Sequence, residues 1–131
     1  MLLKMETNEL THEIIGSAMS VHSSLGPGLL ESAYRSCLCH ELTLRGISWE
    51  QEVPVAVSYK GQILDVAYRL DLVVQGIVVV EVKAVTKVID VHQAQLLSYL
   101  RLSDRQVGLL INFHVKHLRH GATRMVNNFR G

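Results

Sequence analysis

Apolar positions recur with the helical period from residue 10 onward. Leu10, Ile14, Ile15, Ala18, Val21 and His22 fall on one arc, which predicts a first helix over 10–21 with Asn8 or Thr11 as its N-cap. Leu25-Gly26-Pro27-Gly28 breaks that pattern, and a second helix follows over 29–45, closed by Gly46 at C′. From Trp49 the period changes to two. Residues 52–59 read as a strand, with Pro54 marking an edge position. Lys60-Gly61 turns the chain into a short strand over 62–65. Residues 68–74, a Gln75-Gly76 turn and 77–83 then form a hairpin whose second arm is almost continuous Val, as in a strand buried on both faces. A third helix over 91–102, an apolar strand over 107–113 and a weak strand over 123–128 complete the order. This succession predicts a mixed sheet flanked by helices, in the α/β or α+β class.

With 131 residues and no linker, repeat or low-complexity tract, the chain is expected to form one domain over 1–131. The apolar share of 48% against 19% charged excludes a disordered chain. A net charge of +1 excludes a polybasic protein, though a local basic groove would leave the total unchanged. Cys37 and Cys39 have neither the zinc nor the redox spacing. Residues 1–8 lack the apolar stretch of a signal peptide, and the longest apolar run, 77–80, is far too short to span a membrane. A soluble cytoplasmic protein is expected.

The Val-rich strand ends in Glu81-Val82-Lys83. Side chains alternate along a strand, so Glu81 and Lys83 share a face and Val82 takes the other. Asp71 interrupts the preceding strand in the same way. Burying an unpaired charge is costly, so these groups must pair, meet solvent in a cleft, or hold a cation. One reading is a structural salt bridge from Lys83 to Glu81 or Asp71. The other is a metal site, in which two carboxylates offer a hard cation the donor set typical of Mg²⁺. The cation would neutralise charge on a phosphodiester and acidify a bound water, and Lys83 would orient that water or stabilise the transition-state oxygens.

Further polar residues intrude on apolar faces. His92, Gln95 and Tyr99 lie within about 60° of arc on the third helix, beside a stripe of Leu96, Leu97 and Leu100. Glu31 falls within the arc of Leu30, Tyr34, Leu38 and Leu42, where a solvated carboxylate would be out of place. His22 falls among the inward positions of the first helix.

Gly28-Leu29-Leu30-Glu31-Ser32-Ala33-Tyr34 resembles the signature of the GxxExxY protein family. The likeness continues through Val21-His22, Tyr68-Arg69-Leu70-Asp71-Leu72, Glu81-Val82-Lys83-Ala84, the stretch 91–100 and Gly108-Leu109-Leu110-Ile111-Asn112-Phe113, over nearly the whole chain. That family resembles a branch of the PD-(D/E)xK nuclease superfamily. The resemblance implies a restriction-endonuclease-like αβββαβ core, with Asp71, Glu81, Lys83 and the helical Glu31 as catalytic residues. It implies Mg²⁺ or Mn²⁺ at Asp71, Glu81, Val82 and His22. His92, Gln95, Tyr99, Tyr34 and Arg69 would contact substrate or support the ligands. Gln95-x-x-x-Tyr99 is similar to the helix motif of RecB-type nuclease domains. Leu70 stands where the superfamily carries Pro, and the cysteines of an iron–sulfur variant are lacking.

The expected function is a metal-dependent phosphodiesterase acting on nucleic acid, DNA foremost. The alternative is a catalytically silent module of the same fold that binds nucleic acid or a partner protein. So small a chain leaves little room for a recognition domain, which favours a homodimer or a larger complex. His114, His117 and His120, interleaved with Lys116 and Arg119, read as a basic strip that contacts phosphate or as a solvated edge.

The metal reading carries a requirement of parity. In a plain two-residue hairpin Val74 would pair with Ile77, and Asp71 would face away from Glu81. One residue of shift is needed. A three-residue loop with left-handed Gly76 would set Val73 against Ile77 and Glu81 diagonal to Asp71, and a bulge elsewhere would serve as well.

Overall fold

The computed structural model describes residues 5–129, with the side chains of 65–67 outside that description. The N-terminal stretch read over 1–8 therefore begins outside the described residues. Helix α1 spans Thr7–Leu25 and α2 Glu31–Leu44. Strands β1 (Trp49–Tyr59), β2 (Gln62–Val74) and β3 (Val78–Lys83) follow, then α3 (Asp90–Leu102), β4 (Val107–Asn112), a short 3₁₀ turn (Leu118–His120) and β5 (Ala122–Val126). Two local expectations change. Helix α1 begins after Glu6, so Asn8 and Thr11 lie inside it, and the Thr11 hydroxyl donates to the Asn8 carbonyl at 2.9 Å. The separate strands read over 62–65 and 68–74 are one continuous strand.

The five strands lie in the order β1-β2-β3-β4-β5. All neighbours are antiparallel except β3 and β4, which run parallel and are joined by α3. Parallel strands need such a crossover and are buried on both sides. Every residue of β4, and all of β3 but Lys83, is accordingly buried. Pro54 lies on β1, an edge strand, where it pairs with Arg69 of β2.

Helices α1 and α2 cover one face, packing Leu10, Ile14, Leu38 and Leu42 against Val78, Val80, Val82 and Ile111. Helix α3 covers the other, packing Leu96 and Leu100 against Leu70, Val73, Val79 and Leu110. Gly108 lets α3 approach, because a Cβ there would lie 2.9 Å from the Leu96 Cδ1. Among the described residues no helix is long and apolar enough to cross a membrane.

Strands β1 and β2 stay paired from Trp49↔Val74 to Tyr59↔Gln62, whereas β3 joins β2 only between Leu72↔Val80 and Val74↔Val78. Beyond that short ladder the β1–β2 hairpin diverges from β3 as a two-stranded arm. A fork opens at Asp71 and Glu81. The pleat changes there too: Leu72 packs beneath α1 and α2, yet Leu70, two residues away, packs beneath α3. Glu52, across from Asp71 on β1, has a left-handed φ of 52°, a strand irregularity at the same point.

Candidate active site at the strand fork

The hairpin that builds the fork has the shift that parity demands, in a different register from the one expected. Gln75 and Gly76 are left-handed, with φ of 51° and 69°, and the Ile77 N–H donates to the Val74 carbonyl at 3.0 Å. Val74 then pairs with Val78, so Ile77 is the extra residue. One step beyond Leu72↔Val80, Asp71 stands directly opposite Glu81 rather than diagonal to it.

Here side chains replace the ladder. The Val82 N–H donates to Asp71 Oδ2 at 2.9 Å, and the Asp71 N–H points at Glu81 Oε1 at a long 3.5 Å. Arg35, from the first turns of α2, sets its guanidinium 3.5 Å from Asp71 Oδ1. Sequence reading overlooked Arg35. The available signal was its place one helical turn after Glu31, on the same face of α2.

Glu81 is 4% exposed, while the Asp71 side chain is 22% exposed. Burial pushes the Glu81 carboxyl up to about 9; the negative Asp71 and a hydrogen bond to it act in the same direction. A hydrogen bond from the Asp71 backbone and the nearby Lys83 charge oppose the rise without cancelling it. Burial and the neighbouring Asp71 thus favour the protonated form of the deeper carboxyl. Tyr99 closes the α3 side. Burial, then the charges of Glu81, Tyr68 and Asp71, push its hydroxyl up, and a hydrogen bond with Gln95 works against them. The Tyr68 ring lies 5.9 Å from that of Tyr99.

The fork thus gathers Asp71, Glu81, Lys83 and Tyr99, with Gln95 behind Tyr99 and Arg35 behind Asp71. Other expected residues lie elsewhere or do other work. The His22 ring nitrogen is engaged by the main chain: its Nε2 donates to the Val115 carbonyl at 2.8 Å, and its ring packs near Phe113. Tyr34 stacks on Phe113 with ring centroids 4.6 Å apart, and its hydroxyl donates to the Gly26 carbonyl and accepts the Leu29 N–H. It braces the α1–α2 loop. Glu31 is exposed rather than inward, because α2 begins there and its first turn stands at the rim. His92 caps α3, its Nδ1 accepting the Ile89 N–H at 3.2 Å. Arg69 is exposed on the arm and reaches the Glu52 carbonyl at 3.5 Å. The Val82 side chain is sunk in the core under α1 and α2, so only its main chain faces the fork.

Among the described residues no group of three or more His, Cys, Asp or Glu side chains converges as a metal cage. The donor set at the fork is two carboxylates, one of them buried and pushed toward its protonated form by that burial. That fits a hard cation that keeps much of its water, as Mg²⁺ does, and not a closed zinc site.

A mixed sheet flanked by helices, with two acids and a lysine where its strands diverge, defines a restriction-endonuclease-like fold. The chain belongs to the PD-(D/E)XK nuclease superfamily, whose sequence model matches residues 8–125. No curated protein and no solved structure matches it.

Proposed function

We propose that this protein is a metal-dependent nuclease of the GxxExxY branch that hydrolyses phosphodiester bonds in DNA. The observation that carries the reading is the shielded carboxyl pair of Asp71 and Glu81, with Lys83 on the same strand face as Glu81. Asp71 and Glu81 would hold Mg²⁺ or Mn²⁺, which supplies charge neutralisation and a more acidic water when bound. The water oxygen bonds to phosphorus, one P–O ester bond breaks, and the departing oxygen takes up a proton. Lys83 orients that water and stabilises the phosphoryl oxygens as charge builds on them. The Val82 N–H fixes the Asp71 carboxylate, and Tyr99 and Gln95 wall the α3 side.

A second reading has its own support. Asp71 already satisfies a backbone N–H and an arginine, so the pair also serves the fold, as it would in a silent binding module. Incubation with supercoiled plasmid and with linear single- and double-stranded DNA, in Mg²⁺, Mn²⁺ or chelator, separates the two. The nuclease reading expects metal-dependent cleavage that is lost in Glu81→Gln. A folded protein that binds these DNAs and cuts none of them with either metal would leave the silent module standing.

A further inference from the structure

The charges of this chain are segregated. Residues 105–131 carry five Lys and Arg and no Asp or Glu, whereas residues 1–104 carry eight Lys and Arg and all 12 acids. Two of those five serve the fold: Arg105 donates to the Gly76 carbonyl, and Arg124 bonds Asn8 and lies over the Phe129 ring. Arg130 lies outside the described residues. Lys116 and Arg119 remain, both exposed and neither in an ion pair among the described residues. They sit in the β4–β5 loop with His114, His117 and His120, all exposed.

That loop is built as a rigid feature. Asn112, 3% exposed, clamps its root: Oδ1 accepts the N–H groups of Val85 and His114, Nδ2 donates to the Val85 carbonyl, and its own N–H donates to the Gly121 carbonyl. Gly121 is required at the far end, because a Cβ would come 2.2 Å from the Asn112 carbonyl oxygen. Leu118 is buried beneath the loop, and His22 holds the Val115 carbonyl. The cationic side chains therefore stand on a fixed frame that needs little ordering when a ligand arrives. A groove of about 380 Å³ runs between this loop and the end of α1, lined by Lys116, His117 and Arg119 on one side and Ser23 and Pro27 on the other.

The loop is also tied to the fork. Lys83 pairs with Asn112 across the parallel strands, and the Phe113 N–H donates to the Lys83 carbonyl at 2.9 Å. The basic loop thus starts one residue beyond the position paired with Lys83.

We infer that the 113–121 loop docks the phosphodiester backbone of a DNA strand and leads it to the fork, with Lys116 and Arg119 as its principal phosphate contacts. The inference rests on the nuclease reading for its substrate and is tested without cleavage. Labelled single- and double-stranded oligonucleotides are titrated with full-length protein in chelator across 50–200 mM salt. Each phosphate contact contributes roughly 0.9 to the logarithmic salt slope for duplex DNA. Lys116→Ala/Arg119→Ala is expected to lower that slope by about 1.8 and to weaken binding at least tenfold, with its melting temperature held. Lys60→Ala/Arg101→Ala, which removes the same charge elsewhere, is expected to change neither quantity. An unchanged slope in the loop variant, an equal loss in the control pair, or polyglutamate competing as well as DNA at matched charge would each overturn the inference. Loop-dependent binding without any cleavage by the wild type would remove the nuclease reading and keep this one; cleavage with loop-independent binding would do the reverse.

Discussion

The Asp71 carboxylate accepts the Val82 N–H at 2.9 Å, across the point where β2 and β3 part. A backbone donor orphaned by the end of the ladder is thereby satisfied by one of the two acids, which fixes that acid's position. Structure and chemistry share a residue there, and substitutions must be chosen to pull them apart.

Lys83→Ala is expected to lower single-turnover cleavage by about 10²–10³-fold, the scale of losing one preorganised transition-state contact. Calorimetric titration should show metal binding largely retained, because the carboxylates are the ligands. Asp71→Asn keeps an oxygen for the Val82 N–H and should lose metal binding while holding the fold. Equal loss of metal binding in both variants would reverse the roles given to Lys83 and Asp71.

The metal-free protein should lose stability as pH rises. The folded Glu81 carboxyl is raised from 4.5 to about 9, so the folded state binds more protons than the unfolded state between those values. Its contribution is fully present below about 4.5 and is lost as pH climbs through about 9. The slope is at most about 1.4 kcal/mol per pH unit. Urea unfolding from pH 5 to 9 should show this decline, and Glu81→Gln should flatten it. Mg²⁺ or Mn²⁺ should restore stability at the alkaline end, since binding requires the ionised pair. A wild-type profile as flat as that of Glu81→Gln would contradict the raised Glu81 carboxyl.

Arg35 places a positive charge 3.5 Å from Asp71 Oδ1, where it opposes an incoming cation. Arg35→Gln is expected to tighten Mn²⁺ binding by roughly 3–10-fold, as expected from removing a like charge a few ångströms away in a partly solvated site. Calorimetry in low salt reads this directly. Weaker binding in the variant would mean that Arg35 instead holds Asp71 in its ligand position.

Two glycines should respond differently to alanine. Gly121→Ala forces a Cβ against the Asn112 carbonyl oxygen, a backbone atom that cannot swing aside, with the Val115 Cγ2 also close. A loss of about 3 kcal/mol is expected, at the upper end for overpacking. Gly76→Ala meets open space and bears only the strain of φ +69° in the hairpin turn, about 1–2 kcal/mol. Chemical denaturation gives both values, and the ranking would fail if Gly76→Ala proved the costlier.

Much of the fold was legible because its signals are local. The continuous Val run of β3 announces a strand buried on both sides, and the period of Leu10, Ile14, Ala18 and Val21 announces a helix with one inward face. Pro54 marked an edge. Asp71, Glu81 and Lys83 stood out for the same reason, as charges in stretches otherwise committed to the core. Elsewhere local pattern misled. His22 and Tyr34 are polar on inward faces, but their partners are backbone carbonyls, Val115 in the β4–β5 loop and Gly26 in the α1–α2 loop, which helical spacing does not reveal. Asn112 carried the same signal as Glu81, a polar group ending a buried strand, and it closes the loop at 113–121.

The sequence by itself determined most of the elements, their order and the need for one residue of shift in the β2–β3 hairpin, because periodicity and turn chemistry act within a few residues. Tertiary structure alone decided that Ile77 is the extra residue, that Asp71 faces Glu81 directly, that Arg35 arrives from α2, and that Glu81 is buried, which pushes its carboxyl up. Those are relations between groups far apart in the chain. Register, burial and charge at such a site depend on how whole layers pack, and only the folded arrangement supplies that distance information.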